Sequence, residues 1–338
     1  MGGRRLGLAV LLAASALLLG ACETRDVADP SPPTPGDCAR SGLGARTAAA
    51  CHGRWVHAAR HTFVPQGLAL ATDGTAFLSG YHAARHGLRF CEVLVVDRRT
   101  GRTLTRVTDI RAHGPAGGTV VCRHGGGLAI GPEGLWISQR SRLWLVDPDE
   151  IRGGHAATVR VWDMGGRVRA SAVVRRGPWL GLVGYADDRA HFTYWVRVAD
   201  LLTPGVWVVS DRPGETTVVP GRRTRAPLFA QGAAAGPGGV WYVASTSYCG
   251  ILHSPRGAEI AFVPGAEGIV FEGRRLWVVS ESGARPYQRS GDRPLIPTLT
   301  SMRLAQLDRS AATGCSWGLG APAGPADVIG TGRRGQLL

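Results

Sequence analysis

Beyond residue 60 the chain breaks into short apolar runs separated by Gly-rich or charged turns, and the runs follow a repeated order. A Gly leads into three apolar or small residues, four variable residues follow, and then an apolar residue and an aromatic. Gly268-Ile269-Val270-Phe271 leads to Leu276-Trp277, Gly232-Ala233-Ala234-Ala235 to Val240-Trp241, and Gly127-Leu128-Ala129-Ile130 to Leu135-Trp136, each with nine residues from Gly to Trp. "PQGLALATDGTAFLSG" repeats the unit with one residue more, from Gly67 to Phe77. "ASAVVRRGPWLGLVG" is a weaker copy, with Ala170 in the Gly position and Trp179 nine residues later.

A further alternating run follows most copies: "CEVLVVD", "SRLWLVD", "FTYWVRVAD" and finally "SMRLAQLD". Strand, turn, strand, turn, strand is an antiparallel meander. The starts at 67, 127, 170, 232 and 268 lie 60, 43, 62 and 36 residues apart. Multistranded repeats of about that length predict an all-β fold, a β-propeller built of four-stranded antiparallel sheets. Five copies are visible; with one degenerate blade the expected count is six, five being the alternative. Gly and Ala on the innermost strands let backbones crowd the axis, and Trp on the next strands fills the widening wedge. The region from Cys51 to Phe63 is expected to add an outer strand closing the ring against "SMRLAQLD". No segment carries a long amphipathic helical period, which disfavours a β/α fold.

On these residues, "PQGLALATDGTAFLSG" and "AEGIVFEGRRLWVVSE", the chain resembles the NHL-repeat and gluconolactonase-like superfamily of six-bladed propellers. The resemblance runs in pieces from about residue 63 to 283 and implies the architecture; such folds host hydrolases, scaffolds and sensors alike.

Ahead of the repeats, Arg4 and Arg5 precede a 15-residue apolar run, Leu6 to Gly20, shorter than the roughly 20 residues of a membrane-spanning helix. It reads as the core of an export signal. "LLGAC" resembles the lipobox of bacterial lipoproteins, which implies cleavage before Cys22 and diacylation of its thiol, a two-chain anchor that holds a membrane stably. The polar, Pro-rich "ETRDVADPSPPTPGD" that follows suits an extended tether. The expected organisation is therefore a signal peptide over 1–21, lipidated cysteine and tether over 22–50, propeller over 51–317 and an aperiodic, disordered tail over 318–338. The expected location is the outer face of the cell membrane.

With Cys22 set aside, six of the seven cysteines remain, an even number that outside the cytoplasm implies up to three disulfides. The expected pairs are Cys38–Cys51, Cys91–Cys122 and Cys249–Cys315. None has the C-x-x-C spacing of a zinc site.

Composition changes little. The formal charge of +14 invites a search for nucleic acid, but the chain contains no Lys and no Asn, as a GC-rich coding bias would give, and its Arg residues are scattered in short pairs such as Arg98-Arg99, Arg175-Arg176 and Arg222-Arg223. A solvated basic surface and no nucleic-acid partner are expected.

Candidate chemistry follows from the repeat. The residue before each Gly position should line one mouth of the central channel: Gln66, Gly126, Arg169, Gln231 and Glu267. The gluconolactonase-like resemblance implies a metal-binding Glu in an E-G-P context; Glu267 matches the place, with Ile269 instead of Pro and no Asn anywhere to complete the ligand set. Calcium takes six to eight oxygens, so no metal or other cofactor is expected, with Glu267 the ligand and calcium the ion if there is one. An Arg169–Glu267 bridge across the channel is the structural alternative. His124 is a candidate base beside a carboxylate, and Tyr81, His82 and Glu281 lie just past second strands, where propeller loops form binding surfaces. The resulting expectation is a non-catalytic binding or scaffold module at the cell envelope for a protein, peptide or polymer; the alternative is a lactonase- or esterase-like hydrolase using Glu267 and His124.

Overall fold

Pairing of the strands was followed in a computed structural model, which describes residue 38 and residues 50–83, 89–114, 117–187, 191–246, 249–288 and 295–307. Each Gly-led copy forms a hairpin, and each hairpin grows outward into a sheet. Blade 1 runs Phe63–Leu70, Thr75–Ala83, Arg89–Asp97, Thr103–Thr108, and blade 4 runs Ala230–Gly236, Gly239–Thr246, Cys249–His253, Glu259–Phe262, each in sequence order. Blade 3 is Ala172–Arg176, Trp179–Val183, His191–Arg197 and Arg222–Ala226. The long segment before its last strand sends Val208–Ser210 and Thr217–Val218 onto blade 2, beside Thr158–Gly165, so that blade has six strands. Blade 5 has three, Ala266–Glu272, Arg275–Ser280 and Leu299–Arg303, and Arg54 closes it through an antiparallel bridge to Leu299. The protein is a β-propeller.

The ring closes with five blades among the described residues, not the expected six. Five apolar clusters alternate with the five sheets: Leu68 and Leu78 meet Val279, Phe77 meets Leu135, Trp136 meets Leu180, Ala172 meets Tyr242, and Val243 meets Val278. At one end of the channel the innermost strands contribute equivalent triplets, 68–70, 128–130, 173–175, 233–235 and 269–271, around a space of about 260 Å³. A sixth blade would require a further triplet, and the outer strand expected from the N-terminal region is reduced to the Arg54 bridge.

The axis is crowded enough to dictate Gly. A Cβ on Gly232 would stand 2.0 Å from the Glu267 carbonyl oxygen of the next blade, and one on Gly67 would stand 2.8 Å from the backbone of Gly127 and Leu128. Outward, the aromatic positions fill the wedge: Phe77, Trp136, Trp241 and Trp277 each sit opposite the residue two past the Gly. Blade 3 departs from the expected register. Ala172, not Ala170, packs where Gly67 and Gly127 do: a Cβ placed on Gly127 would stand 2.9 Å from Ala172 Cα, and Trp179 pairs with Arg176 at the hairpin turn. Gly181 takes the aromatic position, and Trp195 of the next strand fills the space beside it.

Cys38–Cys51 and Cys91–Cys122 are bonded, with Cα separations of 5.4 and 5.2 Å. The first ties Cys38 into the cluster between blades 4 and 5; the second staples the Arg111–His113/Thr119–Val121 hairpin to blade 1. Cys249 is also in a disulfide, and Cys315, its expected partner, lies outside the described residues. Cys22, the rest of the expected signal and tether, and the tail over 318–338 lie outside them too. Among the described residues no helix is long and apolar enough to cross a membrane.

Candidate binding site at the channel mouth

Opposite the apolar end, the channel opens into a cavity of about 720 Å³. The residues before the five Gly positions all line it: Gln66, Gly126, Ser171, Gln231 and Glu267. In blades 1, 4 and 5 the strand register slips at that residue, between Pro65 and Gly67, Ala230 and Gly232, and Ala266 and Gly268. A bulge leaves its extra residue unpaired and re-aims the side chain. Gln66, Gln231 and Glu267 are thus turned to the mouth by the Gly that follows them.

Buried serines on second strands tie this rim together. Ser79 donates to the Gly125 carbonyl at 2.9 Å, Ser138 to Ser171 at 3.0 Å and Ser245 to Ala266 at 2.6 Å, each joining one blade to the entry of the next. Among the described residues blade 3 has no such tie, its second strand Trp179–Val183 containing no serine.

The cavity gathers six of the expected side chains, Gln66, Tyr81, His124, Gln231, Glu267 and Glu281. Arg169 is a correction. The two-residue register shift of blade 3 puts Ser171 at the rim, while the Arg169 guanidinium donates to the Val168 and Gly166 carbonyls at 2.6 and 3.0 Å. The Arg169–Glu267 bridge does not form. His82 points elsewhere, because neighbours alternate across a strand; its Nδ1 lies 2.7 Å from Thr62 Oγ1 and 3.9 Å from buried Glu92, itself paired with Arg106.

Arg89, Gln139, Arg140, Tyr185, Asp187 and Tyr287 complete the wall, and no sequence motif marks them. Gln139 ends the second strand of blade 2 and Arg140 follows it, Tyr185 to Asp187 lie just past that of blade 3 and Glu281 just past that of blade 5, whereas Tyr81, expected past the second strand of blade 1, lies within it near its end. The same positional rule points to them once the blades are aligned.

A polar chain fixes the orientation of Gln66 and the tautomer of His124. The Gln66 amide nitrogen donates to Glu281 at 2.8 Å and to the Pro65 carbonyl at 3.1 Å, leaving Gln66 Oε1 to accept from His124 Nε2 at 3.0 Å. An amide oxygen facing the Glu281 carboxylate would set acceptor against acceptor, so the orientation is determined. His124 is therefore the Nε2–H tautomer, and its ring stacks on Tyr81 at 4.9 Å. Glu281 accepts the Gln66 hydrogen bond through one carboxyl oxygen. Glu267, 3% exposed, has its pKa raised well above the usual carboxyl value by burial and then by Glu281. The phenols meet at 3.1 Å; burial and then Glu281 push Tyr81 up to about 12 and Tyr287 upward too.

Burial and then Arg89 lower the His124 pKa from 6.5 to about 4. The unfolded chain then binds the proton more readily, so this histidine costs stability as pH falls from about 6.5 toward 4. His124→Gln is expected to flatten the loss of melting temperature across that interval; an unchanged slope would remove His124 as its source.

Among the described residues no group of three His, Cys, Asp or Glu side chains is placed to hold a metal ion. The three carboxyls that line the cavity, Glu267, Glu281 and Asp187, are not grouped as a metal-ligand set.

No family model matches this sequence, and no curated protein sequence matches it. Solved structures do. A chain in the crystal structure of a nidogen/laminin complex is 12% identical over 73% of this chain and 78% of that one, with a TM-score of 0.40. The PQQ-bound aldose sugar dehydrogenase from Streptomyces coelicolor is 15% identical over 71% and 94%, TM-score 0.37. BamB from Moraxella catarrhalis is 10% identical over 70% and 58%, TM-score 0.30.

Proposed function

We propose that this chain is an exported, lipid-anchored propeller whose channel mouth binds a neutral, hydroxyl-rich ligand, such as a sugar unit of an envelope polymer, without turning it over. The observation that carries the reading is the composition of the cavity wall. Arg89 and Arg140 match Glu281 and Asp187 in number, while burial disfavours charge on Glu267 and His124, so the formal charges cancel. What remains is a dense set of amide, phenol and carboxyl donors and acceptors on a rim fixed by bulges and serine ties. A volume of about 720 Å³ lies in the range of small-molecule sites, about 300–1,000 Å³. Disulfides fit an oxidising compartment, and the lipobox-like Leu19-Gly20-Ala21-Cys22 supports anchoring through Cys22.

A hydrolase is the second reading, and one feature favours it: a carboxyl pair whose environments push proton affinities apart, with Glu267 as proton donor. His124 fits it less well than the sequence suggests, since its Nε2 is committed to Gln66. Calorimetric titration with neutral mono- and oligosaccharides and polyols separates the readings. Saturable binding without turnover, weakened about tenfold (~1.4 kcal/mol) by Gln231→Leu, is expected. Lactone or ester hydrolysis lost in Glu267→Gln would favour the enzyme, and absence of binding across the panel would contradict the proposal.

A further inference from the structure

The loop after the second strand of blade 3 forms part of the cavity wall through Tyr185, Ala186 and Asp187, and a strained residue of the next blade holds it. Phe229, just before the first strand of blade 4, has φ +55°. Side chains rarely adopt that left-handed region, and one persists there where its surroundings over-determine it. The Phe229 N–H donates to the Ala186 carbonyl at 2.8 Å, and the Phe229 carbonyl accepts from the Ser245 N–H at 3.3 Å. Phe229 thus ties the blade 3 loop to the second strand of blade 4. Its ring meets that of Tyr185 with centroids 6.1 Å apart and planes at 77°, an edge-to-face contact that orients the Tyr185 ring and leaves at least one of its faces clear of Phe229.

The other aromatic side chains of the wall are committed to one another. Tyr81 is 4% exposed, with the His124 ring stacked at 4.9 Å and the Arg89 guanidinium 4.4 Å from its centroid, and its phenol meets that of Tyr287. Of the three tyrosines that line the cavity only Tyr185 is exposed, at 41%. Amides and carboxyls on the rest of the wall bind hydroxyls without telling a ring from an open chain that carries them. A flat apolar surface makes that distinction, because a pyranose with equatorial hydroxyls turns its axial C–H bonds to its two faces. Polar groups that fix orientation beside an aromatic surface are the usual composition of a small-molecule site.

We propose that Tyr185 selects a pyranose ring at the channel mouth by stacking against its C–H face, and that Phe229 is the residue that positions it. The inference rests on the carbohydrate reading of the mouth and adds the feature of the ligand that is recognised. Calorimetric titration of the full chain in detergent micelles tests it, with methyl β-D-glucopyranoside as the probe and sorbitol, an open chain with more hydroxyls, as comparator. The glucoside is expected to bind at least about tenfold tighter than sorbitol. Tyr185→Ala should weaken the glucoside about tenfold, toward the upper end of what one aromatic contact contributes, and change sorbitol by less than about twofold. Tyr185→Phe keeps the stacking surface and should stay within about twofold of the parent for both, and Phe229→Leu should lower the glucoside-to-sorbitol ratio about threefold. Equal affinity of the parent for the two probes, an equal loss of both in Tyr185→Ala, or a loss in Tyr185→Phe as large as in Tyr185→Ala would overturn the stacking role and leave the carbohydrate reading standing. An unchanged ratio in Phe229→Leu would overturn the positioning role, and binding of neither probe would overturn this inference together with the reading on which it rests.

Discussion

Gly232→Ala is expected to destabilise the protein by about 3 kcal/mol, the upper part of the overpacking range, and to lower its melting temperature by roughly 6–12 °C. The added methyl would stand 2.0 Å from the Glu267 carbonyl oxygen and 3.1 Å from Val243 Cγ1. The first of these is backbone of the neighbouring innermost strand, so no rotamer change relieves it. Blades 4 and 5 must separate at the axis, and Glu267 must move with them. Gly153→Ala is the matched control: Gly153 has φ −72° at the end of the short helix Pro148–Arg152, and its Cβ would meet nothing closer than 3.3 Å. That change should fall within about 0.5 kcal/mol of the parent. A Gly232→Ala protein melting within 2 °C of the parent, an interval of about 1 kcal/mol or less, would mean that the ring does not close as described.

Arg106→Leu should cost about 3 kcal/mol, the upper part of the range for leaving a buried acceptor without its partner; Glu92 is buried while the Arg106 side chain is half-exposed. Glu92 is fully buried in blade 1; it accepts a hydrogen bond from Arg106 Nη2 at 2.9 Å, and its other oxygen lies at ion-pair distance, 2.7 Å, from Arg106 Nε. Burial already raises the Glu92 pKa, while Arg106 pulls it down. Without the guanidinium the folded chain holds the Glu92 proton more tightly than the unfolded chain does, so stability falls as pH rises above the ordinary carboxyl value of 4.5. The penalty should therefore be largest at neutral pH and shrink toward pH 4.5, and Glu92→Leu combined with Arg106→Leu should recover most of it. Chemical denaturation at both pH values checks this; a pH-independent loss would mean that packing, not the stranded carboxylate, is responsible.

Much of the architecture is legible in the Gly-to-aromatic spacing because that spacing is set by geometry: Gly where backbones touch, an aromatic where the wedge opens. The spacing misleads in blade 3, where Trp195 on the third strand fills the place that Trp136, Trp241 and Trp277 fill from the second. Aligning Trp179 to the repeat shifts the register by two and brings in Arg169 in place of Ser171. A count of six rests on allowing for a degenerate blade; the closure of five apolar clusters between five sheets is a three-dimensional fact that spacing does not carry. Rim positions in the other blades can be read from the residue before each Gly, and the bulges that aim Gln66, Gln231 and Glu267 account for why that works. Gln139, Arg140, Tyr185 and Asp187 follow from position at or past the second strands once the blades are aligned, while Arg89 and Tyr287 carry no positional signal and meet the others only when the ring closes. The serine ties are hidden for a similar reason: "FLSG", "WISQ" and "VAST" share a Ser whose partner is a backbone carbonyl in another blade.

The proposed binding role depends most on the proton held by Glu267. A buried, protonated carboxyl beside an ionised one makes the mouth neutral; two ionised carboxylates would make it a cation site. Infrared difference spectroscopy, subtracting the Glu267→Gln spectrum across a pH titration, reads that proton directly. The account predicts a protonated carboxyl C=O band assigned to Glu267 that persists well above pH 4.5. A band already replaced by carboxylate absorption near pH 4.5 would contradict it.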